Sequence, residues 1–594
     1  MDCLLHFISS TKQFIMALLH PQLQMPGFNV KLDALPKECV VSRGQCGFYN
    51  ALDPQFLEWG CKADLLTHRE LLMVRIMNTI TEKPKWEEKV FKEKITGKWR
   101  DEIAQSGEDV TPKMMDWIIK ELQWTAKNFE KTGYIQVFDV GVIKCDTAIP
   151  EDVREALKQA VQPLENVPTD QKDFHPDSDD KVVDLVHPSL FPVIFGRTRV
   201  LKDRIIGLQD CLSHIGEGDI LPSEPCAERE IYEGDAFSKR FQWLPCEVKL
   251  LDDTCRIESY INNAHPVQHK DLYGVLEKII SRVIPLWNQS LSETIISRIG
   301  HQKLKYGEHP DPEPQAPKGE DYDEDEFWEI YQKWRNALPL IIPEPGEFKP
   351  PIMWGSLDLR KHFPKTNLQV IVKLANIELS PDNPTYKGGS WHIEGQLNER
   401  ICASAIYYYD CKNITDNQLA FRQRGLSDLM DLEYEQNQHE FLQAVYGFDD
   451  EIHGGSNNDI TQDLGAVTCK QGRLITFPNA VQHRVSPFSL ADPSKPGHRK
   501  ILALFLVDPH RRIISTANVP PQREDWGREK AKVVNQVLSN LPMELQNMVE
   551  SDLHPLMTME EAKEHRLELM KERGLKSEEN NGNFERGDFS LCEH

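Results

Sequence analysis

A chain of 594 residues has room for two or more domains, and 40% hydrophobic with 27% charged residues is the composition of a folded soluble protein. A formal net charge of −24 argues against a nucleic acid or an anionic membrane surface as the main partner. Thirteen cysteines without one CxxC pair suggest neither a zinc ribbon nor a disulfide framework, and fit reduced thiols inside a cell.

The opening stretch, MDCLLHFISSTKQFIMALLHPQLQ, is broken by His6, Lys12 and Gln13 and lacks a basic start followed by an apolar run, so no cleaved signal peptide is expected. No window approaches the roughly 18 apolar residues of a membrane helix. The expectation is an intracellular, cytoplasmic protein. After an extension over residues 1–64, residues 65–306 are predicted to form a mainly helical domain with some strands. Leu71, Val74 and Met77 fall at helical spacing, and Thr67 with Glu70 makes a capping box. Two further helical stretches follow, then strands in YIQVFDVGVIKCD, near LFPVIFGRTRVL and in CRIESYINNAHP. LYGVLEKIISRVIPLWNQSL is predicted as a long helix. Residues 307–345 are rich in proline and acid and read as a linker.

From residue 346 to 525 the texture changes to short runs of Val, Ile, Tyr and Phe ended by Gly and Asn. Among them are TNLQVIVKLANIEL, SWHIEGQ, ICASAIYYYD, AVTCKQGRLITFPN and RKILALFLVD. Seven or eight such strands suggest a double-stranded β-helix, or jelly roll. A polar, partly helical insertion spans about 427 to 462. Residues 526–594 read as helical and, from 574, disordered. The fold class expected is α+β.

Chance supplies about three His-x-Asp/Glu pairs to a chain with 20 histidines and 93 acids, and this one has five. Those at His68, His175, His269 and His309 lie on a helix, before prolines in loops, or at a helix start. His392 and Glu394 lie in a predicted strand, where period-two geometry puts both on one face within reach of one metal ion. His483, just after a later strand and turn, is the candidate third ligand. Two histidines and a carboxylate form the facial arrangement of non-haem Fe(II) oxygenases, with positions left open for a cosubstrate and dioxygen. If the cosubstrate is 2-oxoglutarate, its far carboxylate requires a cation, and Arg499 at the start of the last strand is placed to supply it. The alternative is a histidine satisfied in the core and an arginine in a surface ion pair. The four residues in this order favour the metal reading.

The strings RELLMVRIMNTITEKPKW, DLVHPSLFPVIFGRTRVL, SYINNAHP, GGSWHIEGQLNERICASAIYYYD and GHRKILALFLVDPHRRIISTANVPPQ resemble a fungal family known as domain of unknown function 4246, over about residues 65–525. The resemblance implies that the C-terminal half is similar to the 2-oxoglutarate/Fe(II) dioxygenases, which hydroxylate or demethylate a small molecule or a protein side chain. Two departures from the wider dioxygenase pattern stand out. Glu394 replaces the usual Asp, and Ile501 stands where a serine or threonine often supports the cosubstrate arginine. Tyr407 is the candidate substitute for that hydroxyl. Tyr260 and Asn262, together on one face of a predicted strand, and Trp391 and Asn398, flanking the metal pair, are candidate substrate contacts. His498 points opposite Arg499 if both lie on the strand. No Gly-rich phosphate loop or GxSxG elbow supports a kinase or hydrolase. The rival readings are a cupin-like metal enzyme that does not use 2-oxoglutarate, which has no need of Arg499, and a non-catalytic scaffold, which has no need of the triad.

Overall fold

The computed structural model describes residues 47–53, 64–223, 236–300, 303–316, 324–425, 432–434, 439–448, 458–527, 543 and 556–587. The first long helix, α1 (His68–Ile80), opens on the Thr67–Glu70 capping box. Helix α2 (Pro112–Thr132) starts with proline in its first turn and stops at Gly133, whose φ of +71° ends the helix in a left-handed turn. Met73, Trp86, Met114 and Trp117 share the core between these helices.

Twelve strands organise the rest: β1 (Tyr134–Phe138), β2 (Val142–Cys145), β3 (Val182–Val186), β4 (Cys246–Leu250), β5 (Cys255–Ile257), β6 (Leu368–Leu379), β7 (Ile401–Lys412), β8 (Asn417–Arg424), β9 (Thr461–Cys469), β10 (Leu474–Pro478), β11 (Gln482–Val485) and β12 (Gly497–Val507). Nine form one antiparallel sheet in the order β1-β2-β10-β7-β12-β6-β4-β5, with β3 also pairing β6. A smaller antiparallel sheet runs β9-β8-β11. The large sheet is open at β1 and β5. The chain is thus a mixed α/β protein built on antiparallel sheets, with ten α-helices among the described residues. None of the described helices is long and apolar enough to cross a membrane.

Alternation along each central strand sorts its side chains between two cores. Val370, Val372, Leu374, Leu502, Leu504 and Leu506 join the outer core, beneath α3 (Glu151–Glu165) and α4 (Lys270–Leu291). Ile371, Ile406, Tyr408, Ala503 and Phe505 face inward and meet Leu419, Phe421, Leu464 and Val467 of the small sheet. Both faces of β6, β7 and β12 are therefore covered, and their sequences are largely apolar without a regular polar alternation.

Three expectations change. The 65–306 region is not separate from the β-rich half: β1 and β2 extend the large sheet at one end, β4 and β5 at the other. The acidic 307–345 stretch joins two parts of one sheet, and its described residues include a helix, Glu324–Asn336. Residues 574–587, expected to be disordered, are the end of α5 (Met559–Glu585) and a two-residue strand paired with Asn458–Asp459. Distant partners hold α5 along its length: Arg566 bonds Asp173 at 2.6 Å, Arg573 bonds Glu399 at 2.6 Å, and Phe584 is buried with Ile393 and Leu397. The remaining helical and tail positions, 528–542, 544–555 and 588–594, lie outside the described residues, as does most of the 1–64 extension.

Candidate metal centre

His392 does not sit in a continuous strand. It makes a single antiparallel bridge to His483, each backbone N–H donating to the other's carbonyl, at 3.2 and 3.1 Å. Gly388 makes this approach possible: its φ is +89°, and a Cβ there would meet the Val485 carbonyl oxygen at 2.8 Å. The pairing brings the two imidazole centroids to 4.3 Å. Glu394 completes the group, with Oε1 3.2 Å from His483 Nε2 and 3.8 Å from His392 Nε2. One ligand atom from each residue lies within 4.8 Å of the others. Neighbouring ligands of a six-coordinate first-row ion, at about 2.1 Å from it, are about 3 Å apart, so the triad fits such an ion with small side-chain adjustments.

The protonation pattern of His483 and Glu394 suits ligation. The Ser390 carbonyl lies 2.9 Å from His392 Nδ1, which assigns the proton to Nδ1 and leaves the Nε2 lone pair for a metal. Burial, and then the nearby His392, push His483 down to about 4, so it is neutral at pH 7. Burial pushes Glu394 up, but the two histidines outweigh it and hold the carboxyl well below the usual range. His392 is raised: burial lowers it, and the hydrogen bond and charge of Glu394 more than reverse that. Nδ1 of His483 is buried without a hydrogen-bond partner among the described residues.

Two side-chain amides fix the ligand segments. Asn479 accepts from the Glu394 backbone N–H at 3.2 Å and donates to the Glu394 carbonyl at 3.1 Å. Asn581, on α5, donates to the Trp391 carbonyl at 2.9 Å and accepts from Gln482 Nε2 at 2.7 Å. Trp391 and Gln482 are the residues immediately before the two histidines. Neither asparagine is visible in the sequence, because nothing local marks contacts across 85 and 190 residues.

Arg499 lies on the inner face of β12 and is 2% exposed. Its Nη1 donates to Asn417 Oδ1 at 3.1 Å, and its guanidinium stacks over Phe488 at 5.0 Å and Tyr408 at 5.6 Å. Nε has no partner, and no described carboxylate pairs with this buried cation. Tyr407 is not beside it. Tyr407 points into the outer core beneath the helices, and its neighbour Tyr408 occupies the expected place. The YYY run has no alternation to reveal which face each tyrosine takes.

The other candidate contacts are spread out. Tyr260 is buried and donates to the Val519 carbonyl at 3.0 Å. Asn262 donates to the carbonyls of Leu190 and Phe191 at 2.9 and 3.1 Å, and Asn263, at φ +70°, ties the same turn. The Tyr260–Asn263 segment is a turn after β5 rather than strand, and these amides close a loop. Asn398 donates to the Phe241 carbonyl at 2.7 Å and accepts from the Ser238 N–H. Trp391 lies next to the triad, stacked between Arg422 at 4.7 Å and Arg484 at 4.5 Å. His498 bonds Asp410 at 2.8 Å, away from the triad.

A second cluster, His175, Asp184 and His187, has the same composition, but its hydrogen bonds leave no ligand set. The Ser189 N–H donates to His187 Nδ1 at 3.2 Å, so the proton of neutral His187 is on Nε2, facing Asp184. Arg566 stands 3.6 Å from the same carboxylate. This is a hydrogen-bonded carboxylate rather than a metal cage.

The chain belongs to the family described as "Protein of unknown function (DUF4246)", which matches residues 112–530, and the family's N-terminal domain matches residues 25–102. No curated protein matches the sequence. Among solved structures, it overlaps IDO from Bacillus thuringiensis at 9% identity and a TM-score of 0.22, over 65% of this chain and 94% of that one. A bsmA homologue from Methylobium petroleophilum gives 9% and 0.22, over 65% and 92%. The Fe(II)/α-ketoglutarate-dependent dioxygenase TqaL gives 11% and 0.14, over 32% and 53%. Overlaps this slight carry no argument about the site.

Proposed function

We propose that this protein is an Fe(II)- and 2-oxoglutarate-dependent oxygenase, hydroxylating or demethylating a substrate in the space between its two sheets, which we read as a double-stranded β-helix. His392 Nε2, Glu394 and His483 Nε2 would hold the iron, and the iron with 2-oxoglutarate and dioxygen supplies the oxidising chemistry. The chain's own work is placement. The His392–His483 backbone pair sets the ligand spacing, Asn479 and Asn581 hold it, and the apolar inner faces keep water out.

The observation that carries this reading is Arg499. A buried guanidinium without a carboxylate partner costs several kcal/mol unless something anionic arrives. A forked cation on the inner face, between the two sheets, suits the far carboxylate of 2-oxoglutarate. A cupin-like enzyme using the triad alone has no use for it.

The test is an anaerobic titration of the apoprotein with Fe(II) and then 2-oxoglutarate, read at the weak visible charge-transfer band of the chelate. A band that grows with 2-oxoglutarate and disappears in His483→Ala is the expected result. Iron binding without a band would turn the reading to the cupin-like enzyme, and no iron binding would end the enzymatic reading.

A further inference from the structure

Along its three central strands the inner face of the large sheet carries few charges. β6 contributes Ile371, Lys373, Ala375 and Ile377, β7 contributes Ser404, Ile406 and Tyr408, and β12 contributes Arg499, Ile501, Ala503 and Phe505. Two cations break this surface, and only Arg499 is accounted for by a cosubstrate. Lys373 alternates with Val372 and Leu374, which belong to the outer core, so its side chain leaves the sheet on the inner face. It is half-buried, and it has no hydrogen bond or ion pair among the described residues. Its cross-strand neighbour is Ala503, whose small side chain leaves room above it. Arg499 pairs with Ile377, four residues further along β6, which sets the two cations about 13 Å apart along the strand.

Each cation serves a different end of the interior. The charge of Arg499 acts on Tyr386, Tyr408, Cys411 and Cys469. That of Lys373 acts on the metal-ligand His392 and, at the sheet edge, on Asp184 and His187. Asp184 is the obvious partner for the amine, yet it is already bonded by His175 at 2.8 Å and approached by Arg566 at 3.6 Å. A half-buried lysine on an apolar face, without an ion-pair partner among the described residues, is built to meet an anion.

We infer that Lys373 receives an anionic group of the primary substrate, a carboxylate or a phosphate, at the end of the inner face opposite Arg499, and so orients the carbon to be oxidised beside His392. This rests on the oxygenase reading above. It makes the substrate class acidic, with an apolar portion beside Ile501, the half-buried residue across from Ala375 on the same face.

The experiment uses full-length protein loaded anaerobically with Fe(II) and 2-oxoglutarate, and titrates hexanoate, hexyl phosphate and hexanol while the charge-transfer band is followed. Hexanoate or hexyl phosphate is expected to perturb the band at roughly one-tenth the concentration hexanol needs. Whichever acid acts first identifies the anion. The preference is expected to vanish in Lys373→Met and to persist in Lys373→Arg. If Lys373→Met does not fold, wild-type protein decides: the advantage of the acid must shrink with rising salt while hexanol is unmoved. Equal titration by all three probes, or a preference that survives Lys373→Met or is indifferent to salt, overturns the inference and leaves the oxygenase reading standing. Absence of the band before any probe is added overturns both.

Discussion

His392 and His483 form one antiparallel backbone pair, each donating its N–H to the other's carbonyl, so the two backbones that carry the imidazoles cannot move apart without breaking both bonds. A metal site made this way depends on the chain on either side of each histidine. Those flanks are tied, through Asn581, to a helix near the C-terminal end of the described chain.

Asn581→Ala removes the donor to Trp391 and the acceptor for Gln482 in one step. Loss of such an outer hydrogen bond weakens metal affinity about 10- to 100-fold. The expected result is an Fe(II) dissociation constant raised by at least about 10-fold, with global stability lowered by only about 1 kcal/mol. Asn581→Asp keeps the acceptor for Gln482 and is expected to recover part of the affinity. Metal titration beside urea unfolding separates positioning from simple destabilisation.

The two adjacent tyrosines offer a sharper comparison. Tyr408 lies under the Arg499 guanidinium, whereas Tyr407 faces the outer core. Replacing Tyr408 by Leu is expected to weaken 2-oxoglutarate binding several-fold, on the order of 1 kcal/mol for a lost cation–π contact. Tyr407→Phe is expected to leave that binding unchanged. Equal effects from the two substitutions would place the cosubstrate elsewhere.

What could be read from sequence here is what local rules encode. Thr67 and Glu70 mark a helix start wherever they occur, and His392, Glu394, His483 and Arg499 stand out because few residue types serve such a site. Tyr407 and Tyr408 could not be told apart, because helices cover one face of β7 and the small sheet the other, which erases the polar alternation. Lys373 hid in an apolar run for the same reason. KSEENNGNFE looks disordered because the groups that order it, Trp391, Arg422, Arg424 and Gln482, lie far away in the chain. Tyr260 and Asn262 had the right chemistry for a substrate, but their partners are backbone carbonyls of distant segments.

Arg499→Met should leave Fe(II) binding nearly intact while raising the 2-oxoglutarate requirement by roughly two orders of magnitude, since one member of a buried charge pair is worth about 2–5 kcal/mol. Arg499→Lys should recover only part of this, because an ammonium lacks the fork that grips a carboxylate at two points. Isothermal titration of the metal-loaded protein with 2-oxoglutarate checks both. An unchanged affinity in the methionine variant would assign the guanidinium to something other than the cosubstrate.

Asp184 gives the acid limb of stability a specific source. Burial pushes its carboxyl up, but His187, the hydrogen bond from His175 and the charge of Lys373 outweigh this and hold it at about 2. Burial keeps His187 itself neutral at pH 7, so at that pH its part is the N–H it turns toward Asp184. An unfolded aspartate titrates near ~3.9, so between that value and about 2 the unfolded chain binds a proton that the folded chain refuses. The stabilisation, about 2 kcal/mol, is complete above the unfolded value and drains away as pH falls through the folded one. Asp184→Asn should therefore be less stable than wild type at pH 7, and the gap should close by about 2 kcal/mol on going to pH ~2. Urea unfolding of both proteins at several pH values measures that gap. A gap that stays constant across the acid range would mean that Asp184 holds its neighbours by shape and not by charge.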